Sequence, residues 1–190
     1  MPRPIILADE DAALEHLQNV LKGDPEVTQW IKDGYVYSVT VVEIDDVTPD
    51  YSNVPRFQGV SVEEAWMHDC HVALCQFSSA TQLSKRGTVF CWRFGKNKIM
   101  SVDFRKKERD LGLYLQRFID RRTAEAEVVG NVGTPTASVG IAKSTEFGDD
   151  DEIKMAENLA GLAQSRIRQC KELGKNQLVG VSESFGWSKE

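Results

Sequence analysis

Apolar residues recur at the helical period in the opening stretch of the chain. Leu14, Leu17 and Leu21 share one face of residues 10 to 22, Asp9 stands ready to cap them, and Gly23 follows as a stop. Asp24-Pro25-Glu26 then restarts a helix, with aspartate at the cap, proline at the first helical position and an acid near the positive dipole end. That second helix carries Val27, Trp30 and Ile31 as far as Gly34, so a helical hairpin is expected over residues 1–34.

The pattern then changes. Residues 35 to 44 are dense in β-branched and aromatic types and predict a strand. Pro49, Asn53, Pro55 and Gly59 mark 45 to 59 as a long loop. Ser61-Val62-Glu63-Glu64 matches a capping box and predicts a short helix with Ala65 and Trp66. Strands are expected over 70 to 78, 88 to 94 and 98 to 104, the last two forming a hairpin about Gly95-Lys96-Asn97. Alternation places Phe90, Trp92 and Phe94 on one face of that hairpin and Cys91 and Arg93 on the other. Leu111, Tyr114, Leu115, Phe118 and Ile119 repeat at the helical period, and this 110 to 122 helix is the expected cover for the three rings.

Further on, 136 to 142 reads as a short strand after a turn-rich connector. A long helix over 152 to 173 follows the acids Asp149 to Asp151. Ile153, Ala156, Ala160, Ala163, Ile167 and Cys170 form its inner stripe, and the small side chains permit close approach to a neighbour. Gly174 ends the helix, and 177 to 182 predicts a last strand. So many consecutive strands do not suit a doubly wound sheet. The expected fold is α+β: a single domain with a largely antiparallel sheet, an N-terminal helical hairpin and packed helices. Its segments are 1–34, the core 35–122 with the basic hairpin, and 123–190 with the connector, long helix and final strand.

Composition narrows the picture. The 190 residues are 41% hydrophobic and 27% charged, as in ordinary globular proteins. No apolar run approaches the roughly 20 residues of a membrane span, and Asp9-Glu10-Asp11 interrupts the N-terminus too early for a signal-peptide core. An intracellular, cytoplasmic location with reduced cysteines is expected. The net charge of −6 conceals segregation: residues 1 to 64 balance at −9, 65 to 122 at +7, and 123 to 190 at −4.

Candidate chemistry is sparse. His68, Cys70, His71 and Cys75 suggest metal ligation, but on a strand His71 and Cys75 would lie ~13 Å apart. His68, His71 and Cys70 remain weak metal candidates, and no metal or other cofactor is expected. A Cys–His nucleophile pair fails because Cys70 and His71 point to opposite faces. No Gly-x-Ser-x-Gly run occurs, and His16 is expected to be an exposed helical residue. Gly140-Ile141-Ala142-Lys143 lacks the glycine that a phosphate loop needs before its lysine.

The basic middle is the strongest feature. Arg86, Lys96, Lys98, Arg105, Lys106 and Lys107 are expected to face solvent and to mediate contact, since unpaired cations are costly to bury. The functional expectation is therefore a non-enzymatic assembly protein, which associates with a protein partner or with itself through unlike charged surfaces. One alternative is single-strand nucleic-acid binding through the aromatic hairpin 84–109. The other is a small hydrolase or metal enzyme using the His68–Cys75 region. No membrane partner is expected.

Overall fold

The computed structural model describes residues 5–44, 90–105, 137–148, 151–174 and 178–180. Among these, β1 (Ile5–Leu7), α1 (Glu10–Gly23), α2 (Pro25–Lys32), β2 (Val36–Ile44), β3 (Phe90–Phe94), β4 (Lys98–Arg105), β5 (Ala137–Lys143), α3 (Glu152–Glu172) and β6 (Leu178–Val179) follow in order. The strands form one mixed sheet in the order β1-β3-β4-β2-β5-β6. β2 lies near its centre, antiparallel to β4 and to β5. The β3–β4 hairpin is antiparallel, while β1 on β3 and β6 on β5 are parallel. The fold is α+β, as the hydrophobic pattern predicts.

Local chemistry sets the element ends. Asp9 accepts from Ala12 N at 2.9 Å, and Asp24 accepts from Glu26 N and Val27 N, so both helices of the hairpin satisfy N–H groups that would otherwise lack partners. Asp151 does the same for Lys154 N at the start of α3. Gly95 takes a φ of 58° at the β3–β4 turn, a left-handed value that favours glycine.

One sheet face is covered by α1 and α3. Val39 and Val41 of β2, Trp92 and Phe94 of β3, and Met100 and Val102 of β4 bury against Ala13, Leu17 and Leu21 of α1 and Ala156, Leu159 and Ala163 of α3. Trp92 and Phe94 are thus core residues, but their cover among the described residues is α1 and α3. The predicted 110–122 helix lies outside the described residues, as do the predicted 61–66 helix and the 70–78 strand. α3 approaches β5 most closely at Gly140, where a Cβ would sit 2.0 Å from the Ala163 carbonyl oxygen. Here the small-residue stripe meets a glycine, and the helix axis comes nearer the sheet than any larger pair would allow.

A further tie holds α3 in register. Arg166 Nη1 donates to Glu146 Oε1 at 2.9 Å, and the same carboxylate oxygen accepts from Lys143 N at 2.7 Å. The helix is thereby fastened to the turn that ends β5.

β1 was not expected. It is three residues long, and Ile5 and Ile6 remain exposed, so no alternation marks it. Among the described residues no helix is long and apolar enough to cross a membrane.

Candidate functional site

The helix-covered face changes character at one end. Along β2 the inward positions run Val39, Val41, Glu43, and along β4 they run Val102, Met100, Lys98. Glu43 and Lys98 are register partners, so two apolar columns finish in adjacent charges of opposite sign. The first residue of α1, Glu10, and the last turns of α3 close over this end. A cavity of about 340 Å³ results, lined by Glu10, Val41, Glu43, Lys98, Gln164, Ile167, Arg168 and Lys171.

Its polar side chains are wired together. Lys98 Nζ donates to Glu10 Oε1 and lies 3.8 Å from Glu43 Oε2. Lys171 Nζ donates to Glu43 Oε1. With its amide turned to donate, Gln164 reaches both Glu10 oxygens at 3.0 and 2.9 Å. Lys98 Nζ also stands 5.8 Å from the Phe94 ring centroid, a cation–π distance. Glu43 is the most enclosed member of the Lys98 pair, its side chain 12% exposed against 23% for Lys98.

The lining carries two carboxylates against three cations, which leaves one positive charge in excess. Arg168 and Lys171 sit at the outer edge on exposed positions of α3. A concave site with an apolar floor and convergent cations is suited to a small anionic ligand, phosphate above all.

The predicted site residues scatter. Lys98 enters the cavity instead of facing outward. Lys96 is exposed at the hairpin tip, and Arg105 ends β4. Arg86, Lys106, Lys107, His68, Cys70 and His71 lie outside the described residues. Among the described residues no group of three His, Cys, Asp or Glu side chains is placed to hold a metal ion. Cys91 and Cys170 form no disulfide among the described residues, and Cys170 Sγ donates to the Val139 carbonyl at 3.4 Å. His16 is half-buried, edge-on to Trp92 at 4.8 Å between ring centroids, and desolvation lowers its pKa. It is not the exposed helical residue the sequence suggests.

Sequence reasoning missed Glu10, Glu43, Gln164, Arg168 and Lys171. A signal was present for some of them. Glu43 breaks an inward column of valines, and Gln164, Arg168 and Lys171 recur at three- and four-residue steps along α3.

No protein-family model matches the chain, and no curated protein sequence does. Solved structures do share its fold. The GGDEF domain of DgcB from Caulobacter crescentus, solved in complex with c-di-GMP, superposes with a TM-score of 0.60 at 14% identity, covering 91% of this chain and 90% of that one. The active GGEEF domain of a diguanylate cyclase from Vibrio cholerae gives 0.57 at 12% identity, covering 90% and 96%. The FimX GGDEF domain from Pseudomonas aeruginosa gives 0.55 at 14% identity, covering 86% and 91%.

This likeness overturns the expectation of a non-enzymatic assembly protein and its single-strand nucleic-acid and His68–Cys75 alternatives. The architecture is that of domains described as diguanylate cyclases and as complexes with c-di-GMP. The segregated charge on which the assembly expectation rested is partly internal, because Lys98 is neutralised by Glu10 and Glu43 of the acidic N-terminal segment.

Neither Gly-Gly-Asp-Glu-Phe nor Gly-Gly-Glu-Glu-Phe, the runs those domain names spell, occurs in this chain. No two of its 14 glycines are adjacent.

Proposed function

We propose that this chain is a guanine-nucleotide domain of the GGDEF fold, which receives phosphate groups in the cavity between β2, β4 and α3. The observation that carries this reading is the conjunction of the fold with a cationic cavity at one end of its helix-covered face. Lys171 and Arg168 are the phosphate-contacting groups, with Lys98 behind them. Val41 and Ile167 supply the apolar floor.

The β3–β4 turn supports a departure from the neighbours named for their signature run. Here the turn reads Gly95-Lys96-Asn97-Lys98-Ile99. Gly95 opens it with a positive φ, Asn97 is the amide counterpart of aspartate, and Ile99 is buried as a closing phenylalanine could be. We assign this run to the place of the signature. Its fourth member is then a lysine where GGDEF and GGEEF have glutamate, and the charge is inverted.

Phosphoryl transfer ordinarily uses divalent metal ions, held by carboxylates, to neutralise the developing phosphate charge. The residues in this cavity do not fit that arrangement. Its two carboxylates already pair with Lys98 and Lys171. The chain is therefore expected to bind the nucleotide without condensing it to c-di-GMP.

Photocrosslinking of radiolabelled GTP to the 190-residue chain tests the reading. Labelling should saturate and should be displaced by unlabelled GTP or c-di-GMP, and chromatography of the reaction should show no cyclic product. Absence of displaceable labelling would refute it.

A further inference from the structure

We infer that Lys98 is a built-in cation standing between Glu10 and Glu43 in place of a divalent metal ion, so that the cavity holds its anionic ligand without metal. The ligand half of this inference rests on the nucleotide reading; the cation half concerns the unliganded protein.

Three observations converge on it. Two carboxylates from distant elements, the start of α1 and the end of β2, are brought to one ammonium group. Backbone register fixes that meeting, because Glu43 and Lys98 are directly paired on neighbouring strands. The Phe94 ring on the preceding strand then holds the lysine head from another side.

The charge accounting is complete at the cavity. Glu43 has Lys98 on one oxygen and Lys171 on the other, and Glu10 has Lys98 together with the Gln164 amide. A hard divalent ion needs about six oxygen ligands. Here it would have to displace an ammonium tethered to the same sheet, and it would find only two carboxylates once there. An entering phosphate meets a positive site regardless, because Arg168 and Lys171 lie toward solvent.

Electron paramagnetic resonance of Mn²⁺ added to the full chain reads the cation half directly. The wild-type protein should leave equimolar Mn²⁺ free. Lys98→Glu brings a third carboxylate to the same point and should bind one ion, which the double variant K98E/E43Q should release. Wild-type binding that disappears in Glu43→Gln would overturn the inference, as would a folded Lys98→Glu protein that binds no Mn²⁺. Should Lys98→Glu fail to fold, the wild-type and Glu43→Gln spectra decide alone.

The ligand half is read by titrating GTP in EDTA and in Mg²⁺. Affinities should agree within about twofold, whereas a tenfold or greater loss in EDTA would mark a required metal and overturn the inference. If GTP binds under neither condition, the nucleotide reading and the ligand half fall together. The Mn²⁺ spectra then still decide the role of Lys98.

Discussion

α3 has two working faces that obey different rules. Its buried stripe, at Ala163 and Ile167, presses on β5 so closely that Gly140 has no room for a Cβ. On a neighbouring stripe, Gln164, Arg168 and Lys171 turn away from that seam and line a charged cavity, while Ile167 and Cys170 between them stay buried. The seam is specified by steric exclusion, where one methyl group is too many. The cavity is shaped by electrostatics, and its partly exposed ion pairs are expected to tolerate exchange without unfolding the protein. A single helix thus anchors the domain with one stripe and lines the cavity with the adjacent one.

That contrast can be broken first at the seam and its neighbouring core. Phe94→Ala removes a fully buried ring from beneath α1 and α3 and should cost about 4 kcal/mol, read from urea melts as a lower midpoint at unchanged slope. Gly140→Ala should cost about 3 kcal/mol, because the added methyl meets backbone that cannot rotate away. If Gly140→Ala melts like the wild type, α3 is free to shift and the seam does not set its position.

The cavity should respond in the opposite sense. Lys171→Ala alters a partly exposed ion pair and should leave the melting midpoint within error, since such pairs contribute little to stability. The same change should weaken GTP binding by about tenfold, as loss of a charge-assisted phosphate contact does. A variant that unfolds while its remaining folded fraction binds normally would place Lys171 with the seam instead.

The smallest effect is expected at His16. Burial against Trp92 lowers its folded-state pKa below the ordinary 6.5, so the unfolded chain takes up the proton more readily. Its neutral form therefore favours folding above that value, and the advantage is lost as pH falls through and below it. Melts between pH 7 and 5 should show a shallower decline for His16→Gln than for the wild type.

Much of the seam was legible in the sequence, and almost none of the cavity. The alanine stripe of α3, the capped helices at Asp9 and Asp24, and the alternating Phe90, Trp92 and Phe94 are all local patterns, and periodicity reports local patterns well. The covering of Trp92 and Phe94 by α1 depends on strand order, which periodicity does not encode. β1 escaped for a related reason: a three-residue edge strand with exposed isoleucines has no alternation to detect. The cavity needs Glu10, Glu43, Lys98 and Lys171, which lie far apart in the chain and meet only through register and a crossover. Lys98 looked like one of many surface cations because its two acidic partners belong to a different segment. The likeness in fold was hidden as well, since the runs for which the similar domains are named do not occur in this chain.

The role proposed for the charged face of α3 is to receive the phosphates of a guanine nucleotide. Isothermal titration of GTP into the 190-residue chain, compared with the double variant R168A/K171A, tests it most directly. A saturable heat for the wild type, lost in a double variant that melts at the wild-type midpoint, is the predicted result. No heat for the wild type, or equal affinity in both proteins, would contradict it.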